Sequence, residues 1–106
     1  MTKCIRDGKV AILYSPGYGA GWSSWNDDRD VPKDFLLHDE ELVEMVENDQ
    51  RNKIPGYAKS MYPNGCYLGA EDLVVEWVNP DTQFRITEYD GYERIVFNHS
   101  DYWEVA

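Results

Sequence analysis

The sequence predicts an α+β fold: a twisted, mostly antiparallel sheet with one main helix and one short helix on one face. Three observations carry this. An almost wholly apolar arm, Lys9 to Tyr14, follows an Asp7-Gly8 turn signal. An amphipathic stretch with an acidic start occupies residues 39–50. The last third alternates apolar and polar residues and is broken by Asn79-Pro80-Asp81 and Asp90-Gly91. Helical and extended segments thus fall in separate blocks, which favours α+β over alternating α/β. At 106 residues the chain is read as a single α+β domain, 1–106, with room for a modest core.

Asp7-Gly8 is a two-residue hairpin signal between Cys4-Ile5-Arg6 and the arm 9–14. The apolar content of that arm fits a central strand buried on both faces. A glycine-rich loop leaves its end. Residues 26–34 are polar and acidic, with Pro32 among them, and read as a loop. Asp39 is then a candidate N-cap, with Glu40 and Glu41 at the positive end of the helix dipole. Leu42, Met45 and Val46 share a face, with Val43 beside them, while Glu40, Glu44 and Glu47 fall opposite. A second short helix is predicted over 55–62, opened by Pro55 at a first helical position.

Strands are predicted at 73–78, 83–89, 92–97 and 102–105. In the second of these Phe84 and Ile86, with Glu88 in register, face one way, and Arg85, Thr87 and Tyr89 face the other. The N-terminal hairpin is expected to join this C-terminal meander in one sheet; a partly closed small barrel with a helical insertion is the alternative.

The stretch with most functional content is Ser15-Pro16-Gly17-Tyr18-Gly19-Ala20-Gly21-Trp22-Ser23-Ser24-Trp25-Asn26. Glycine permits positive φ and close approach of the backbone to another surface, and here the glycines are interleaved with large flat rings. The spacing Gly-x-Gly-x-Gly is not the dinucleotide fingerprint, and no Walker motif exists. Consecutive amides of a glycine-rich turn can still form an anion nest, and tyrosine and tryptophan can stack on a base. Tyr14, Ser15, Gly17, Tyr18, Gly19, Gly21, Trp22, Trp25 and Asn26 are therefore the candidate ligand-binding residues. The competing reading is that Trp22 and Trp25 cover the core and the glycines let the loop fold back on it. Arg85, Arg94, Lys9 or Lys59 would have to line a phosphate pocket in so acidic a chain.

Formal net charge is −10. Charge of this sign excludes unspecific attraction to nucleic acid or to an anionic membrane. Residues 27–50 hold ten acids against two bases, a local field that attracts basic surfaces. Asp27, Asp28, Asp30, Glu40, Glu44 and Glu47 are accordingly the candidate partner-binding residues, with a solvated helix face as the plainer reading. The two cysteines, Cys4 and Cys66, are expected to be free thiols. With two distant histidines they form no zinc pattern. Asp27-Asp28-Arg29-Asp30 lacks the glycine and the closing glutamate of a calcium loop. There is no cofactor motif and no nucleophile elbow, so no enzymatic activity is expected. A Cys-His-Asp constellation could assemble in space from Cys66, His99 and Asp101, as in any chain that has these residues. There is no run of 18 apolar residues and no secretory h-region, and a cytoplasmic location is expected.

Val10-Ala11-Ile12-Leu13-Tyr14-Ser15-Pro16-Gly17-Tyr18-Gly19-Ala20-Gly21-Trp22 resembles a group of small bacteriophage accessory proteins. The likeness continues through Leu68-Gly69, Leu73-Val74-Val75-Glu76-Trp77-Val78 and Phe84-Arg85-Ile86-Thr87-Glu88-Tyr89-Asp90-Gly91. It implies expression in the cytoplasm of a bacterial host cell. By analogy with small acidic phage proteins, it implies a non-enzymatic role against a host defence or regulatory system. The expected partner is a small ligand, with a nucleotide as the leading class, captured by the 15–26 loop, and a homo-oligomer interface is one setting for that capture. The alternative is a protein-directed inhibitor or polyanion mimic using the acidic 27–50 surface against a basic host protein or nucleic-acid-binding complex. Neither direct nucleic-acid binding nor membrane binding is expected.

Overall fold

Among the described residues the chain forms two three-stranded antiparallel sheets and three α-helices. The computed structural model describes residues 3–17, 19–26, 31–97 and 104–105. The α+β class predicted from the sequence holds. The first sheet has the order β1-β2-β3, from strands β1 (Ile5–Arg6), β2 (Lys9–Tyr14) and β3 (Val74–Val78). The second has the order β5-β4-β6, from β4 (Gln83–Tyr89), β5 (Tyr92–Phe97) and β6 (Glu104–Val105). The expected single sheet is therefore corrected to two. The N-terminal hairpin pairs with β3, but β3 and β4, joined by the Asn79-Pro80-Asp81 turn, lie in different sheets.

Both predicted hairpin turns form. Asp7 and Gly8 have φ of 52° and 77°, and Asp90 and Gly91 have 52° and 85°. Positive φ at both central residues is the turn whose twist matches the flanking strands.

Strand β2 is buried on both faces, as its composition predicts. Ala11 and Leu13 face a core built with Phe35, Leu36, Leu42, Val43, Ile54 and Ala58 from the helices. Ile12, from the opposite face, joins Val78, Leu37 and Phe84, with Ile86 and Ile95 packed alongside. The first sheet is thus packed on both faces, and helix residues reach both clusters, Phe35 and Leu36 in one and Leu37 in the other.

The helices are α1 (Lys33–His38), α2 (Glu40–Glu47) and α3 (Ile54–Met61). In α2 the Asp39 carboxylate accepts from the Leu42 amide at 3.2 Å, the predicted cap. Helix α3 carries Pro55 in its first turn. Helix α1 stands where a loop was expected to run into the main helix. Pro32 does not interrupt it but precedes its first turn, a position that proline's fixed φ suits. The apolar run Phe35-Leu36-Leu37 then supplies the burial that a six-residue helix needs. Asp39, in extended conformation, ends α1 and caps α2. His38 is buried rather than on an open loop. Its Nδ1 donates to the Ala11 carbonyl at 2.7 Å, and its ring meets Phe84 edge-on at 6.2 Å.

Among the described residues no helix is long and apolar enough to cross a membrane.

Candidate functional site: a nest filled from within and a tyrosine–arginine cleft

The glycine-aromatic loop is folded onto the body of the protein by one side chain the sequence reading had not singled out. Glu93 of β5 is fully buried. Its Oε1 accepts from the Ser15 amide at 2.8 Å. Its Oε2 accepts from the Trp22 amide at 2.7 Å, from the Ser24 amide at 3.0 Å and from the Ser24 hydroxyl. The Glu93 amide in turn donates to the Ser15 carbonyl at 2.8 Å. Three separated amides at the two ends of the loop, none of them a glycine's, therefore converge on an anion, and that anion is the protein's own carboxylate. A phosphate cradle at these amides is corrected on that ground: the donors are already engaged.

Trp22, Ser15 and Gly21 are buried. The Trp22 indole donates to the Leu36 carbonyl at 2.7 Å and packs against the Tyr67 ring at 5.6 Å. Trp22 is thus a core residue and presents no face to a ligand. Trp25 is 40% exposed. Asn26 is a brace: its amide nitrogen donates to the carbonyls of Trp22 and Cys66, and its oxygen accepts from the Cys66 amide at 2.7 Å. Close approach explains two glycines outside the loop. A Cβ at Gly69 would lie 2.6 Å from the Gly21 carbonyl oxygen, and one at Gly91 would lie 2.6 Å from the Ala20 nitrogen. Gly17 is half-buried and Gly19 exposed. Tyr18 lies outside the described residues.

Of the predicted partner-binding residues, Glu40, Glu44 and Glu47 lie exposed on α2. Glu47 is paired with Arg6, whose guanidinium also stacks over Trp77 at 5.4 Å. Asp27, Asp28 and Asp30 lie outside the described residues, as do His99 and Asp101. Both cysteines are free, Cys4 buried and Cys66 half-buried.

Tyr14 is the predicted ligand residue that opens on a cavity. Where β2 ends, the chain runs beside β5, the edge strand of the second sheet. A cleft of about 390 Å³ lies there, lined by Tyr14, Pro16, Glu76, Tyr92, Arg94 and Phe97 among others. A second pocket of about 420 Å³ lies on the other side of Tyr92 and Arg94, lined also by Thr87, Glu88 and Tyr89. The register of the β4–β5 hairpin creates this arrangement. Tyr89 opposes Tyr92 and Thr87 opposes Arg94, so these four share the face turned away from the first sheet. Glu88 and Glu93 share the other face with Ile86 and Ile95. Burial, with Glu76 and Tyr92 nearby, raises the Tyr14 phenol pKa above the usual tyrosine range. Tyr14 is therefore a neutral hydroxyl donor at neutral pH. Arg94 is exposed and has no hydrogen bond or ion pair among the described residues.

The sequence reading singled out Arg94, as a cation that could line a phosphate pocket, and assigned no role to Glu93 or Glu76. The signal for Glu93 was present. It has the parity of Ile95 and Phe97, so it is an acid on the inward side of an alternating strand.

No protein-family model matches this chain, and no curated protein or solved structure matches it either.

Proposed function

We propose that this is a non-enzymatic binding protein that sequesters a small planar anion of the nucleotide class. The site is the cleft at the exit of the glycine-aromatic loop rather than the loop's own amides. One observation supports the reading: two tyrosine rings, Tyr14 and Tyr92, line the same cleft as Arg94, a guanidinium with no hydrogen bond or ion pair among the described residues. Aromatic faces supply base stacking of about 1–3 kcal/mol per base, and a guanidinium supplies the charge-assisted bond to phosphate. Glu93 holds Ser15 against β5 and so fixes Tyr14 beside Tyr92. The resemblance to phage accessory proteins sets this activity in a bacterial cytoplasm, where removal of a signalling nucleotide would counteract a host defence or regulatory system.

Thermal melting against a nucleotide panel tests the reading. A ligand at 100 times its Kd stabilises by about 2.7 kcal/mol, which raises the Tm of a domain this size by roughly 10 °C or more. Arg94→Ala is expected to abolish the shift. A flat response to the whole panel would refute the proposal.

A second reading has its own observation. Glu40, Glu41 and Glu44 of α2 are exposed and without ion pairs among the described residues. A basic host protein could dock there. Capture of such a partner would weaken steeply with salt and would be lost on charge reversal at Glu40, Glu44 and Glu47. Capture that survives that reversal removes this alternative.

A further inference from the structure

Resting on the ligand reading above, we infer that the bound molecule has two ring systems joined through phosphate, and that it straddles Tyr92 and Arg94. The two pockets have these residues in common and share no other lining residue among the described ones. Each pocket, at about 420 and 390 Å³, lies at the small end of the ligand-pocket range of roughly 300–1,000 Å³, a space suited to one nucleoside. The site is therefore a saddle with a ring-sized hollow on each side. Tyr89 flanks one hollow and Tyr14 the other, and Tyr92 belongs to both.

Charge fixes the rest of the ligand. Among the described residues Arg94 is the one cationic residue in either lining, and it is common to both. Each hollow also contains acidic residues outside the shared ridge, Glu88 in one and Glu76 with Glu93 in the other; Glu93 is engaged by Ser15, Trp22 and Ser24, which leaves Glu88 and Glu76 to face a ligand. The negative charge of the ligand therefore belongs at its centre, facing Arg94, and has to be small. The hydroxyl and amine groups of its two ends face the carboxylates, which accept their hydrogen bonds. A phosphodiester between two nucleosides has this charge distribution. A nucleoside triphosphate does not: it places several charges at one end, beside Glu76 or Glu88, where like charges repel.

Isothermal titration of the purified chain decides the matter with three probes: adenosine monophosphate, a diadenosine phosphodiester and adenosine triphosphate. The phosphodiester is expected to bind at least tenfold more tightly than the monophosphate, and the triphosphate most weakly. Tyr89 is 82% exposed, so Tyr89→Ala should leave folding intact, and it should weaken phosphodiester binding about tenfold. Tyr14→Ala should weaken it similarly, with circular dichroism to confirm the fold. If monophosphate and phosphodiester bind equally, the two-ring inference falls and the nucleotide reading stands. If the phosphodiester binds more tightly but Tyr89→Ala changes nothing, the saddle is wrong. If no probe binds and a wider nucleotide panel also fails, both readings fall together.

Discussion

Glu93 accepts four hydrogen bonds from Ser15, Trp22 and Ser24, and is itself fully buried. Removing a buried acceptor leaves its donors unsatisfied, at about 1–3 kcal/mol for each such group. Glu93→Ala is therefore expected to cost on the order of 4 kcal/mol, a large part of the 5–15 kcal/mol typical of a whole domain. Glu93→Gln keeps the shape but turns an amide donor toward amide donors, and should cost about 2–3 kcal/mol. Urea unfolding followed by tryptophan fluorescence measures both; a loss below 1 kcal/mol for the alanine variant would mean that Glu93 is not what holds the loop. A glycine pair isolates the same packing. Gly8 and Gly91 both have positive φ in two-residue turns, but a Cβ at Gly8 meets nothing within 4 Å, whereas one at Gly91 strikes the backbone of Ala20. Gly8→Ala should cost about 1–2 kcal/mol, the price of left-handed backbone alone. Gly91→Ala should cost at least twice that, and equal losses would show the loop yields freely.

Helix α2 depends on Asp39, whose carboxylate accepts from the Leu42 amide and from the Tyr57 hydroxyl at 2.9 Å. One side chain thus caps α2 and ties it to α3. Asp39→Ala should cost about 2 kcal/mol, since a lost cap is worth about 1 and the Tyr57 hydroxyl is orphaned as well. The combined Asp39→Ala, Tyr57→Phe protein should lose less than the sum of the single losses, and strict additivity in the urea midpoints would show the two are uncoupled. In α3, Gly56 has open space where a Cβ would sit. Gly56→Ala should raise stability by about 0.5–1 kcal/mol, because alanine restricts the unfolded chain and favours helix. The hairpins and both of these helices could be read from the chain, because turn residues, caps and a 3.6-residue period are local. Helix α1 could not: six residues give too few turns for a period to show, and Pro32 carries the same letter at a helix start as in a loop.

At the scale of the whole molecule, the buried Tyr67 and the half-buried Tyr14 and Tyr57 couple the fold to alkaline pH. Burial raises the pKa of Tyr14, Tyr57 and Tyr67, and for Tyr57 the hydrogen bond to Asp39 adds to it. With folded values above the ordinary 10.0, the native state holds protons that the unfolded chain releases. Their contribution is then complete below about pH 10 and is lost as pH rises above it. Urea midpoints should stay level from pH 7 to 9 and fall between pH 10 and 12. Tyr57→Phe should shallow that fall; an unchanged slope would show that Tyr57 does not carry it.

Strand positions, turn chemistry, the main helix with its cap, and the doubly buried β2 were all determined by the sequence alone. Each rests on neighbours within a few residues, or on a composition that no single-faced strand would have. The division into two sheets, the inward turn of Trp22 and the filling of the loop's nest were decided only by tertiary structure. Glu93 lies 71 residues beyond Trp22, and nothing local to either tells an amide nest whether its anion will come from solvent or from the chain itself. The tyrosine–arginine cleft belongs to the same class, because it exists only where the end of β2 and the edge of β5 are held side by side.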